Sequence, residues 1–154
     1  MRERGLRDFM VQFGGDMFVS GRRGDRAWRA GIRDPRGPPD RYFAAAEVTD
    51  ATFSTSGDYE RFFIKDGHRY AHILDPATGN PASACRSVTI MAPDATTAEY
   101  LSKGVFILGT ERGLPIVESV EGAGAVVVDP KNRVHVSARL KDRIKILADP
   151  TDGL

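Results

Sequence analysis

The densest grouping of side chains able to do chemistry is Tyr70-Ala-His-Ile-Leu-Asp-Pro-Ala-Thr-Gly-Asn-Pro81. A β-prone run ends at Leu74, and Asp75-Pro76-Ala77-Thr78-Gly79 follows as a turn rich in oxygen acceptors. His72 stands three positions before Asp75, so an imidazole, a carboxylate and the Thr78 hydroxyl share one short segment. Free backbone amides in such a turn present donors to phosphate oxygens, and an imidazole beside them can carry a proton. Two readings of these residues stand side by side. One is an anion-binding turn with a functional histidine; the other is a β-turn with a structural one.

Other chemistries find little support in the chain. A single cysteine, Cys85, excludes an internal disulfide and a cysteine zinc site. His68, His72 and His135 do not fall at a zinc-ligand spacing. With 22 basic and 21 acidic residues the net charge is +1, too small a field to imply nucleic acid or an anionic membrane. Arginines gather at Arg22, Arg23, Arg26, Arg29, Arg33, Arg36 and Arg41, but acids and prolines interrupt them, which reads as a solvated face. The start is charged and lacks an apolar signal segment, and no run approaches the ~20 apolar residues of a membrane span, so the chain is expected to be soluble.

The elements that must position the turn follow from periodicity and punctuation. At 154 residues the chain can form one domain with a core. Met10 to Ser20 reads as a strand interrupted at Gly14-Gly15, where a bulge or close backbone approach is expected. Trp28 to Ile32, one or two strands within Phe43 to Thr55, and Ser87 to Met91 add further β-structure. Tyr59 to Ile64 and Arg69 to Leu74 flank Lys65-Asp66-Gly67, a strong hairpin signal. Asp94 or Thr96 can cap a helix to about Ile107, ended by Gly109, and Glu111 to Val120 supplies a second. A hairpin around Asp129-Pro130-Lys131-Asn132 and a strand at Ile144 to Leu147 complete an α+β fold, mostly antiparallel sheet with two consecutive helices packed on it. His135, between Val134 and Val136, is expected to face solvent.

His72-Ile-Leu-Asp-Pro-Ala-Thr-Gly-Asn-Pro81 resembles the His-x-x-Asp-Pro-x-Thr-Gly-x-Pro signature of the ApbE family, the FAD:protein FMN transferases. Further segments are similar in the same order. Val11-Gln-Phe-Gly-Gly-Asp16 resembles the family's Gly-Gly-Asp strand, and Trp28-Arg-Ala-Gly-Ile-Arg-Asp-Pro35 its Trp-x-hydrophobic-Gly-Ile-x-x-Pro segment. Thr55-Ser-Gly-Asp-Tyr-Glu-Arg61 resembles its Thr-Ser-Gly-x-Tyr element, and Ser87 to Pro93 and Phe106-Ile-Leu-Gly109 follow at plausible spacing. The resemblance runs from about Gly5 to Val128 and is to the C-terminal half of the family's fold. Residues 1–9 resemble the end of a helix that precedes the Gly-Gly-Asp strand.

The resemblance implies binding of FAD and Mg²⁺, and transfer of FMN to a threonine of an acceptor protein with release of AMP. It implies that His72 assists the acceptor hydroxyl or the phosphates. It also implies that Ile73 meets FAD by packing or through its backbone, and that Asp75, Thr78 and Gly79 shape the turn beside the diphosphate. Metal ligands are implied at Glu99 and at position 103, where the family has a threonine and this chain has Lys103. Lysine cannot ligate a cation, whereas Glu99 and Lys103 one helical turn apart suit an ion pair. An ammonium standing in for the metal is the sharper alternative to a surface pair. His72 and Asp75 are expected in one cleft near the start of the helix bearing Glu99. The implied partners are FAD, a flavin-acceptor protein and the N-terminal half, in the same chain or a separate one; the implied location is the periplasm or a membrane anchor borne by that half. A non-catalytic flavin-binding or structural relative is the alternative reading.

Overall fold

The computed structural model describes residues 1–153. The first two strands, β1 (Phe9–Phe13) and β2 (Asp16–Ser20), form a hairpin closed by Phe13 opposite Asp16. Gly14-Gly15 is therefore a turn between two strands, not a bulge within one; two glycines supply the tight reversal. After β3 (Trp28–Arg33) the proline-rich loop leads into β4 (Tyr42–Val48), and a short turn leads on to β5 (Ala51–Gly57). The Asp-Gly hairpin joins β6 (Phe62–Lys65) to β7 (His68–Ala71), with Asp66 at φ 51° and Gly67 at φ 74° as a two-residue reversal of this hand requires. β8 (Ser87–Ala92) precedes the main helix, α1 (Ala95–Ser119). β9 (Gly124–Val128), β10 (Val134–Val136) and β11 (Ile144–Ile146) follow. Two short 3-10 turns, Arg2–Arg4 and Ala138–Leu140, complete the elements. The first is all the helix present in residues 1–9.

Three layers result. A six-stranded antiparallel sheet runs β1-β2-β5-β8-β9-β10, with α1 on one face. A three-stranded sheet, β11-β4-β3, covers the other. The central strands explain the layering. In β8, Val88, Ile90 and Ala92 join the helix-side core with Leu101, Val105 and Phe106, while Met91 points to the opposite core. In β9, Val127 and Val126 divide in the same way. Period-two alternation of apolar groups on both faces marks a strand buried on both sides.

The Asp94 carboxylate caps α1, accepting from the Thr97 amide at 2.9 Å, a contact worth about 1 kcal/mol. The two helices expected from the sequence are two segments of this one element. Gly109, at φ 76° and ψ 178°, breaks the helical backbone between them. That conformation is open to glycine and almost closed to residues with a Cβ.

Two buried carboxylates tie distant segments together. Asp34, fully buried, accepts from the Arg36 and Gly37 amides through Oδ1. Its Oδ2 accepts from the Thr151 amide at 2.9 Å and the Thr151 hydroxyl at 2.7 Å, and pairs with Arg41 Nε at 2.9 Å. Burial pushes the Asp34 carboxyl up, but these hydrogen bonds outweigh it and hold it below its ordinary value. Asp129 likewise accepts from the Lys131 and Arg133 amides, from Arg133 Nε and from His135 Nε2 at 2.9 Å. Burial opposes these contacts and loses to them, so Asp129 also titrates well below the usual range. His135 is thus tied to a buried acid rather than simply facing water, because Asp129 has oxygens left to fill after its own loop is capped.

Candidate functional site

His72 leaves the end of β7 as an exposed side chain with a fixed ring. The Arg61 carbonyl receives both the His72 amide at 3.0 Å and Nδ1 at 3.2 Å. A carbonyl oxygen only accepts, so Nδ1 carries the proton in this contact. The neutral ring then holds its lone pair on Nε2, as a base on the outer side must. Arg61 contributes this orienting carbonyl through its backbone, and no side-chain pattern in the sequence signals it.

The turn that follows is knitted together internally. Asp75 Oδ1 accepts from the Ala77 amide at 2.9 Å. The Asp75 carbonyl accepts from the Thr78 amide at 3.3 Å and the Gly79 amide at 2.8 Å. Thr78 Oγ1 accepts from the Asn80 amide at 3.2 Å, and the Asp75 amide donates to the Asn80 carbonyl at 2.8 Å. Gly79 sits at φ 71°, which lets the chain reverse within this bonding scheme. The amides read from sequence as free donors to phosphate are therefore engaged, which corrects that expectation. A small turn of this kind satisfies its own donors before any ligand arrives. The Ile73 side chain also points inward, 7% exposed within the helix-side core, and its carbonyl accepts from the Ala82 amide at 2.8 Å. Its side chain is thus packed against protein.

Glu99 and Lys103 lie on the face of α1 that meets β5. Lys103 Nζ is 2.7 Å from Glu99 Oε1 and donates to Ser56 Oγ at 3.1 Å. Ser54 Oγ donates to Glu99 Oε2 at 3.1 Å. Ser102 donates to the Glu99 carbonyl at 3.0 Å, so the buried 2.8 Å contact between Ser56 and Ser102 carries the Ser56 proton. The ion pair that the spacing predicts is present, extended by three serines. These serines were missed in the sequence, although Thr52, Ser54 and Ser56 repeat at period two and are all buried.

These residues do not fit Mg²⁺. Both Glu99 oxygens are engaged, and an ammonium with no lone pair occupies the position a second ligand would need. Among the described residues no group of three or more His, Cys, Asp or Glu side chains is arranged to hold a metal.

Five cavities of about 190 to 540 Å³ are lined by other residues than His72, Asp75, Thr78, Gly79 and Glu99, so the expected common cleft is not among them. The largest, about 540 Å³, opens between the two sheets beside Gln12, Met17, Arg29, Tyr42 and Phe53.

The ApbE family model matches residues 1–127. Over 148 residues the chain is 39% identical to the FAD:protein FMN transferase of Treponema pallidum (strain Nichols), covering 90% of this chain and 41% of the relative. The FAD:protein FMN transferase of Vibrio cholerae serotype O1 is 35% identical over 121 residues, covering 77% of this chain and 36% of the relative. Among solved structures, the ApbE protein of Thermotoga maritima superposes with TM-score 0.78 at 38% identity, over 88% of this chain and 44% of that chain. The flavin transferase ApbE from Vibrio cholerae gives 0.76 at 29% identity, over 92% and 46%. The chain spans less than half the length of these relatives.

Proposed function

Because the chain belongs to the ApbE family, we propose that it forms part of an FAD:protein FMN transferase, which moves FMN from FAD to a threonine of an acceptor protein and releases AMP. The observation that carries this reading is the His72 ring, with Nδ1 held by the Arg61 carbonyl and Nε2 left to accept a proton.

In this reading the acceptor hydroxyl gives its proton to His72 Nε2 as its oxygen attacks the phosphorus of the FMN moiety. The phosphorus–oxygen bond to AMP breaks, and AMP leaves with the electron pair. The proton on Nε2 then passes to the leaving phosphate or to water. Positioned general bases contribute about 10²–10⁴-fold to such steps. The turn around Asp75, Thr78 and Gly79 acts as a rigid wall beside the diphosphate, rather than as a cradle of amides, while the Arg61 carbonyl fixes the direction of His72. No step is assigned to Mg²⁺, since Glu99 is already engaged by Lys103. The flavin-binding surface and any periplasmic export signal belong, in this proposal, to the remainder of the full-length protein, as does recognition of the acceptor.

A second reading is favoured by one observation. Lys103 and the three serines fill the place where the resemblance implies a metal, which suits a relative that binds flavin or a partner without transferring FMN. The two readings separate in one assay. This chain is combined with the N-terminal portion of an active family member, and covalent flavin on a threonine-containing peptide is followed together with AMP release. Under the first reading transfer occurs and His72→Ala lowers it about 10²–10⁴-fold. Transfer unchanged by His72→Ala would remove His72 from the reaction. No transfer until Glu99→Asp and Lys103→Thr are introduced together, with Mg²⁺ present, would establish the second reading.

A further inference from the structure

The β6–β7 hairpin is a two-stranded sheet of its own, and every residue of β6 is exposed. Its register sets Phe62 opposite Ala71, Phe63 opposite Tyr70, Ile64 opposite Arg69 and Lys65 opposite His68. Alternation sends successive side chains to opposite faces. Phe62, Ile64, Arg69 and Ala71 therefore share one face, the one on which Ala71 is buried. Phe63, Lys65, His68 and Tyr70 share the other. The Arg61 carbonyl takes the His72 amide at 3.0 Å, which extends the ladder by one pair. Arg61 and His72 thus occupy the register positions that continue the second face, and the proposed base stands at its end.

That face is apolar in the middle and positive at both ends. The Phe63 and Tyr70 rings lie 4.9 Å apart and 4° from parallel, and Phe63 is 60% exposed. Each ring covers one side of the other, so the pair offers an apolar rim rather than a slot for a third ring. None of the six residues is acidic. Among the described residues no carboxylate forms an ion pair with Arg61 or Lys65. The acids nearby in the chain are turned to other uses or stand outside the strands. Glu60 pairs with Arg33 at 3.4 Å, Asp75 bonds the amide of Ala77 in its own turn, and Asp66 lies in the reversal. An unneutralised positive face complements a partner that carries negative charge.

We propose that this face docks the acceptor protein through an extended acidic segment, with the threonine at His72, an apolar residue on Phe63 and Tyr70, and a carboxylate at Lys65. The proposal rests on the transferase reading, from which it takes the threonine. Positions 61 and 65 are about 13 Å apart along a strand that rises ~3.3 Å per residue. An extended acceptor segment has the same rise and the same alternation. The residues that meet the face are then the threonine and the second and fourth residues from it, all on one side of the segment.

The test titrates the whole chain by calorimetry with short peptides that carry a threonine, a leucine two positions away and a glutamate four positions away, in both chain orders. A matched set has lysine in place of the glutamate. In one chain order the glutamate peptide is expected to bind about three- to fivefold more tightly than its lysine counterpart, the upper range for a single exposed ion pair. Lys65→Glu should reverse that preference, and Phe63→Ser should weaken both peptides alike. Both positions are exposed, so neither variant disturbs the core. Peptides that bind equally, or not at all at millimolar concentration, overturn the proposal, as does a preference that Lys65→Glu leaves in place. A thymidine oligonucleotide bound more tightly than the glutamate peptide would make the face a nucleic-acid site and overturn it too. So would peptide binding lost in the chimera with the N-terminal portion of an active relative, because that portion would then cover the face. The transferase reading fails separately. Peptides bound as expected but never flavinylated by the chimera would remove the reaction and leave the docking face, whereas flavin transfer indifferent to the glutamate would remove the face from acceptor choice.

Discussion

Replacing Lys103 by threonine and Glu99 by aspartate together should create a metal site where there is none that fits. The Lys103–Glu99 pair is partly open to water, with side chains 40% and 46% exposed, so its loss should cost no more than about 1 kcal/mol of stability. The effect on a divalent cation is larger. A +2 ion 4 Å from an ammonium is repelled by roughly 8 kcal/mol at an effective dielectric of 20, and by about 2 kcal/mol at the water limit. Partial exposure places this site between those limits. Even the lower figure is about 30-fold in affinity, since each 1.4 kcal/mol is tenfold. The double variant should therefore bind Mg²⁺ at least about 30-fold more tightly than the wild-type chain, read by calorimetry. Lys103→Thr alone should recover part of the gain and shift the melting temperature little. Millimolar or tighter Mg²⁺ binding by the wild-type chain, unchanged in the double variant, would refute the electrostatic argument. So would a stability loss well above 1 kcal/mol in Lys103→Thr, because the network would then be a structural element and not a surface pair.

Asp129→Asn should destabilise the fold by about 2–4 kcal/mol near pH 7, since it leaves several donors short of a charged acceptor. The folded-state value of Asp129 is depressed, so its contribution is full above the unfolded value of about 4 and fades as pH falls below it; urea melts at pH 7 and pH 3 should show the gap between variant and wild type shrinking. A gap that stays constant with pH would mean that shape, not charge, is being measured. Gly109→Ala should cost about 1–3 kcal/mol, read by thermal or denaturant melts, because φ 76° with ψ 178° strains any residue with a Cβ. The isolated chain should bind FAD no tighter than tens of micromolar, given that the turn amides are internally engaged; a calorimetric Kd in the low micromolar range would contradict this.

What was legible in the sequence was local. Asp66-Gly67 announces its own reversal, because the left-handed backbone both positions adopt is accessible to few other pairs. Asp94 before Thr97 reads as a cap and forms one, and Gly109 reads as a helix end and interrupts α1. The Glu99–Lys103 pair follows from one helical turn of separation. Long-range choices were not legible. Nothing in Ile144-Lys145-Ile146 says that it will pair with Ala44 to Ala46 rather than extend the larger sheet. The same holds for the site. His72 was visible as a residue type, whereas the Arg61 carbonyl that sets its tautomer is a backbone atom that every residue possesses. The turn amides are engaged rather than free for a related reason: Asp75 and Thr78 have side chains short enough to bond amides of their own turn, and sequence alone does not say which acceptor wins. Ser54 and Ser56 mattered only once the helix had been placed over them.

The tie between Asp34 and Thr151 has a temporal consequence. These residues are 117 positions apart, and β11, the strand that completes the smaller sheet, is likewise made long after β4. Ribosomes add about 5–20 residues per second, so the Asp34 carboxylate waits on the order of ten seconds for its partner to be synthesised. During that interval β3 and β4 can pair with each other, but one edge of β4 stays open and the floor beneath Asp34 is missing. Unpaired edges on a growing chain invite pairing with neighbouring chains. Slow translation through residues 50–140 should therefore lower the soluble yield of this protein more than slow translation elsewhere.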